Sequence, residues 1–151
     1  SRAITSAAGT ADAMEVIAFR LDRVPVTLRL DLPSEPLRVR AGPVRFQQVV
    51  VNLVSNALDA LEDRPDGTIH IEGRRDGGRV LLTVRDNGPG IPQGLEDRIF
   101  DPFFSTKGVG SGLGLGLSIS FNIIKDFGGE LRILPTERGA AFCIDLPGVE
   151  S

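Results

Sequence analysis

VRFQQVVVNLVSNALDAL, residues 44–61, runs without a Gly or Pro. On a helical wheel with Phe46 at zero, Val49, Val50, Leu53, Val54, Ala57 and Leu61 fall in one arc about 140° wide. That is the stripe of a helix that buries one face in a core. Gln48, Asn52, Asn56 and Asp59 lie between about 200° and 280°, along one edge of the arc. Asn is a weak helix former, so two of them one turn apart need a reason. Two readings stay open: a row of amide and carboxylate oxygens facing a ligand, or a solvated face. Solvated faces more often carry Glu, Lys and Arg.

Pro65-Asp66-Gly67 turns the chain after this helix. Thr68 to Glu72 then alternates, with Ile69 and Ile71 on one face, and Asp76-Gly77-Gly78 reads as a hairpin turn. Val80, Leu82 and Val84 alternate as the returning strand. A helix is predicted over Leu113 to Phe127, stopped by Gly128-Gly129. Leu131 to Leu134 and Ala140 to Leu146 read as two further strands joined by a turn at Glu137 to Gly139. Upstream, Val26 to Leu32 alternates as a half-buried strand, Leu37 to Val39 reads as a short extended piece, and Asp12 to Leu21 as a short helix closed by Pro25. Residues 1–9 are small and polar and read as a linker, 10–148 as one domain, and 149–151 as a tail. The expected fold is α/β (α+β): a two-layer sandwich whose mixed, roughly five-stranded sheet is covered on one face by three helices.

Composition bounds the chemistry. The 151 residues are 41% hydrophobic and 25% charged, as in a globular domain. The net charge of −3 disfavours a nucleic-acid partner. Cys143 stands alone, which excludes a disulfide framework and a cysteine-based zinc site, and one histidine, His70, excludes a histidine cluster. His70 falls in a predicted strand and reads as structural; Cys143 reads as a small apolar residue. No apolar run approaches the roughly 20 residues of a membrane span, and Ser1 opens no signal peptide. A soluble, cytoplasmic segment without membrane contact is expected.

Two loops carry more specific signals. Asp86-Asn87-Gly88-Pro89-Gly90-Ile91 follows a strand. Turns use Asp, Asn and Gly for backbone reasons alone, so a plain turn is one reading. The other is a carboxylate that accepts from an exocyclic amine, with glycines that let a flat ring approach the backbone. Such an acceptor favours adenine over guanine, whose oxygen would face it. Residues 86–112 form a long loop, a length that usually signals function. Its end, Gly108-Val-Gly-Ser-Gly-Leu-Gly-Leu-Gly-Leu117, fits neither Walker A nor the dinucleotide fingerprint. Glycines entering a helix can still aim backbone N–H groups at phosphate. Leu113, Leu115 and Leu117 argue against a flexible linker.

In this order the segments resemble the ATP-binding domain of bacterial sensor histidine kinases, within the ATPase family of gyrase B, Hsp90 and MutL. Gln48-x-x-x-Asn52-Leu-Val-x-Asn56-Ala57 resembles its N box, Asp86-x-Gly88-x-Gly90-Ile91 its G1 box, and Ile99 through Lys107 (IFDPFFSTK) its F box. Gly110-Ser-Gly112-Leu-Gly114-Leu115 resembles its G2 box, and Gly128-Gly129 with Gly139 to Pro147 its closing hairpin. The wording of residues 101–107 is similar to that of nitrogen- and C4-dicarboxylate-sensing kinases.

The resemblance implies a Bergerat-type fold, ATP and Mg²⁺ as cofactors, and roles for particular residues. Asn56 would ligate Mg²⁺ through its amide oxygen, and Asn52 would approach the phosphates, with Asp59 beside them. Asp86 would accept from the adenine amine, and Gly88, Gly90 and Ile91 would line the ring. Residues 92–111 would form a mobile lid, anchored by Phe100 and Phe103. Lys107 would reach the γ-phosphate, although a lid lysine can also be simply solvated. Gly110, Gly112, Leu113, Gly114 and Leu115 would offer backbone donors to phosphate. The catalytic set is then Asn52, Asn56 and Lys107.

Position 52 separates subclasses. ATP-hydrolysing relatives carry a Glu there to activate water, and Asn52 cannot act as a general base. The phosphoryl group would instead go to a histidine on a separate dimerisation domain, absent from this chain, in a homodimeric parent that in turn serves a response regulator receiver domain. Whether the parent is anchored in the inner membrane stays open. His70 is followed by Ile71, not by the Glu or Asp of a phospho-accepting histidine, so the chain alone should bind ATP without phosphorylating itself. Ala140 and Ala141 follow Gly139, where the family often has Thr or Ser; a polar contact near adenine would be lost or replaced by water. A serine kinase of the anti-sigma class shares these boxes, and a degenerate domain that only binds a partner is a further alternative.

Overall fold

The apolar arc of residues 44–61 forms as α1, Pro43–Ala60, and all seven wheel positions from Phe46 to Leu61 are buried. Pro43 stands at the first helical position, where its missing N–H costs nothing. The computed structural model describes residues 4–6, 26–31, 37–39, 42–61, 66–91, 113–136 and 138–148. The helix expected over Asp12 to Leu21 lies outside them, so two helices, not three, stand among the described residues.

The strands are β1 Ile4–Ser6, β2 Thr27–Asp31, β3 Leu37–Val39, β4 Thr68–Asp76, β5 Arg79–Asp86, β6 Glu130–Ile133 and β7 Ala140–Pro147. Five of them make the main sheet, in the order β2-β4-β5-β7-β6. It is mixed, as expected: β2 pairs with β4 in parallel and the other three pairs are antiparallel. Residues 4–6 depart from the linker expectation for 1–9, because they pair in parallel with β3 as a two-stranded sheet. The β-branched Ile4 and Thr5 suit such an extended pairing.

Ile69 and Ile71 of β4, Val80, Leu82 and Val84 of β5, and Phe142, Ile144 and Leu146 of β7 point to one face and join the α1 arc in the core. The alternate residues lie on the opposite face, where Arg132 pairs with Glu130 and Asp145, and Arg79 with Asp145. His70 belongs to that opposite face. Cys143 is buried, as its apolar reading requires.

The second helix, α2, spans Leu113–Asp126. It ends at Gly128 (φ 79°), with the Gly129 N–H bonded to the Ile124 carbonyl and the Gly128 N–H to that of Lys125. This left-handed cap is the one that Gly128-Gly129 permits at low cost. Among the described residues, no helix is long and apolar enough to cross a membrane.

Candidate functional site

Two links fix how the helices lie together. Arg45 pairs with Asp126 at 2.8 Å, and the Asn52 amide donates to the Ser120 hydroxyl at 3.2 Å. Position rises along α1 as it falls along α2, so the helices are antiparallel. The first turn of α2, with Leu113, Gly114 and Leu115, therefore comes level with the last turns of α1, where Asn56 and Asp59 stand. The first turn of any helix presents N–H groups without intrahelical acceptors, at the positive end of the dipole. No acidic residue occupies the first turn of α2.

The loop after β5 closes on the same end. Asp86 is 8% exposed, and its Oδ1 accepts from the Gly88 N–H at 2.9 Å. A Cβ at Gly88 would stand 2.9 Å from the Ala60 carbonyl oxygen, so the loop rests directly on the C-terminal turn of α1. A Cβ at Gly90 (φ 83°) would come 2.7 Å from the Gly139 carbonyl oxygen. A Cβ at Gly139 (φ 76°) would collide with the Asp86 carbonyl oxygen. Three backbones meet here at a spacing that only glycine allows. Ala140 lies opposite Asp86 in the β5–β7 register, so a methyl group stands at that position.

Asn56 is half-buried, and its Nδ2 is buried with no hydrogen-bond partner among the described residues. Such an orphan costs about 1–3 kcal/mol, and a half-turn of the amide places an oxygen there instead. The side chain fits a ligand that needs one amide atom at this point. Asp59 is half-buried on the same stripe. Ile91 packs against the core and borders a cleft of about 420 Å³, whose walls include Ile133, Pro135, Thr136 and Ala140. Clefts of this size hold small molecules. Asn52, Asn56 and Asp86 lie outside its walls.

The expected site residues thus divide. Asn52, Asn56 and Asp59 share one edge of α1, Asp86, Gly88, Gly90 and Ile91 form the loop beside its last turn, and Leu113, Gly114 and Leu115 start α2. Phe103, Lys107, Gly110 and Gly112 lie outside the described residues.

Two participants were not anticipated. Ser120 is fully buried and holds the Asn52 amide. Asn87 staples the loop: its Oδ1 accepts from the Thr68 N–H at 2.8 Å, its Nδ2 donates to the Asp66 carbonyl at 3.0 Å, and its own N–H donates to the Thr68 carbonyl at 3.3 Å. The signal was present in Asn87, since Asn readily bonds local backbone. Its partners, 19 and 21 residues away, were not legible.

Residues 41–150 match the family described as histidine kinase-, DNA gyrase B- and HSP90-like ATPases, and the chain belongs to that family. Within it, the fold is that of histidine kinase catalytic domains. The nucleotide-free catalytic domain of the histidine kinase ThkA superposes with a TM-score of 0.77 at 34% identity, covering 89% of this chain and 88% of that one. ThkA in complex with the response regulator TrrA gives a TM-score of 0.74 at 32% identity, over 91% of this chain and 38% of that one. By sequence, the chain is 40% identical over 129 residues to the C4-dicarboxylate transport sensor protein DctB of Rhizobium meliloti. That match takes in 85% of this chain and 20% of the relative, so the chain spans about one fifth of that protein's length.

Proposed function

We propose that this chain is the nucleotide-binding catalytic domain of a sensor histidine kinase, and that it presents Mg-ATP to a histidine on a separate dimerisation domain. The observation that carries the reading is the convergence of three elements at one end of the sheet: the Asp86–Ile91 loop, the last turns of α1 and the first turn of α2.

In this reading Asp86 accepts a hydrogen bond from the exocyclic amine of adenine. The Gly88 N–H holds its carboxylate in a fixed orientation, so the acceptor is set before the ring arrives. Gly88 and Gly90 let the loop seat closely on Ala60 and Gly139, so that its backbone would line the ring, and Ile91 provides an apolar wall. At position 140 the methyl group offers no hydroxyl to the ring, so Asp86 carries the discrimination between ATP and GTP. The N–H groups of Leu113, Gly114 and Leu115 receive the phosphates at the start of α2. Gly110, Gly112 and Lys107 would add to them, Phe103 would anchor the lid over residues 92–111, and Asp12 to Leu21 would complete a three-helix layer. These assignments rest on the resemblance of those boxes.

Asn56 is the residue that would hold Mg²⁺, with Asp59 beside it on the same face. Mg²⁺ takes oxygen ligands and keeps several waters, and when bound it neutralises phosphate charge. Asn52 is tied to Ser120 as an amide and offers no general base to water. The phosphoryl group is thereby kept for the protein acceptor. The domain would span residues 10–148 together with the paired strand Ile4–Ser6, work in the cytoplasm, and belong to a homodimeric parent that serves a response regulator. ThkA, a structural neighbour, is seen with such a regulator.

Incubation with radiolabelled ATP tests the reading. Label is expected on a purified dimerisation domain supplied in trans, and none on this chain alone. Label on a serine of a small partner protein, with none on a histidine, would replace the reading by that of a serine kinase.

A further inference from the structure

The face of the sheet turned away from the helices carries a second group of chemistry-bearing side chains. Ile69 and Ile71 of β4 are 0% and 1% exposed in the core. His70 and Glu72 alternate with them, and therefore project from the opposite face. β2 forms the edge of the sheet beside β4, and the parallel register sets Asp31 opposite Glu72. One ligand atom from each of Asp31, His70 and Glu72 lies within 4.8 Å of the other two. His70 and Glu72 are half-buried, and Asp31 is exposed.

The surroundings make this arrangement notable. Arg29 on β2 and Arg85 on β5 occupy the register positions on either side of His70. Arg74 follows Glu72 on β4 but pairs with Asp76. Among the described residues, none of the three ligand side chains takes part in a hydrogen bond or an ion pair. Two carboxylates and an imidazole thus converge with no counter-charge bound between them. We infer that Asp31, His70 and Glu72 form a surface site for a divalent transition-metal ion of the Zn²⁺ type.

The donor set supports that class. An imidazole nitrogen favours zinc, nickel, copper or iron over Mg²⁺ and Ca²⁺, which take oxygen alone. Zn–N and Zn–O bonds of about 2.0–2.2 Å place two ligands on one ion at most about 4.4 Å apart, so small rotamer changes close the triad. Three protein ligands from one side leave the remaining positions to water. The ion would join the edge strand β2 to β4. It would stand on the face opposite the core, independent of the nucleotide reading.

Calorimetric titration of the EDTA-treated chain with ZnCl₂, without nucleotide, tests this. One Zn²⁺ per chain is expected, with a rise in melting temperature on saturation. His70→Ala and Asp31→Asn should each weaken binding about tenfold or more, because losing a ligand costs at least what losing a ligand's hydrogen-bond partner does. Glu130→Gln, a carboxylate elsewhere on the same face, should leave it unchanged, and MgCl₂ should not compete. Asp31 is exposed at the sheet edge, so its variant reports even if His70→Ala impairs folding. Absence of saturable Zn²⁺ binding, or binding that survives a folded Asp31→Asn chain at full strength, would overturn the inference.

Discussion

Two groups of glycines, alike in the sequence, meet opposite surroundings. At Gly77 and Gly78, in the hairpin between β4 and β5, an added Cβ would meet nothing within 4 Å. At Gly88, Gly90 and Gly139 it would press on the Ala60, Gly139 and Asp86 backbones. The first pair only reverses the chain. The second set lets the Asp86 loop, α1 and the β6–β7 turn approach one another closely, at the end of the sheet where the nucleotide is proposed to bind. Crowding separates these three from the hairpin pair where composition does not, although Gly129, in the turn that caps α2, is crowded as well.

Substitution should widen or erase that contrast. The largest effect is expected for Gly139→Ala, where a positive φ and a backbone collision coincide. Left-handed strain and overpacking together predict a loss of about 3 kcal/mol. For a chain of this length that is a fall of about 6–12 °C in melting temperature. Gly88→Ala should cost about 1–3 kcal/mol by pushing the loop off Ala60, and should weaken ATP binding by a similar factor. Asn87→Ala removes two bonds that hold the same loop to Thr68 and Asp66, for about 1–2 kcal/mol. Asn87→Asp should recover part of it, since an acceptor for the Thr68 N–H remains. Gly78→Ala should stay within about 0.5 kcal/mol of the parent, as nothing surrounds it. Chemical denaturation reads all five, and a Gly78 variant as damaging as Gly139→Ala would break the comparison.

What could be read in the sequence followed local periodicity. The α1 stripe was legible because a period of about 3.6 residues survives in Phe46 to Leu61, and the hairpins because Ile69, Ile71, Val80 and Val84 alternate. The Asn52–Asn56 stripe and the Asp86 loop were visible as oddities of residue type, and pointed to a site only through their order along the chain. Contacts between distant segments left no such trace. Ser120 looks neutral in an apolar helix, yet it is fully buried against Asn52. Ile4–Ser6 looked like a linker because three residues carry too little pattern to announce a parallel pairing with Leu37–Val39. The His70 triad is set by the β2–β4 register, which links residues 39 and 41 positions apart and which neither strand specifies alone.

The central claim is that Asp86, fixed by its own loop, selects adenine. Calorimetric titration of the chain and of Asp86→Asn with Mg-ATP and Mg-GTP tests it most directly. Saturable binding of ATP in preference to GTP is predicted, weakened about 10- to 100-fold in the variant as a charge-assisted hydrogen bond is lost. Equal affinity for the two nucleotides, or an Asp86→Asn chain that binds ATP as well as the parent, would contradict it.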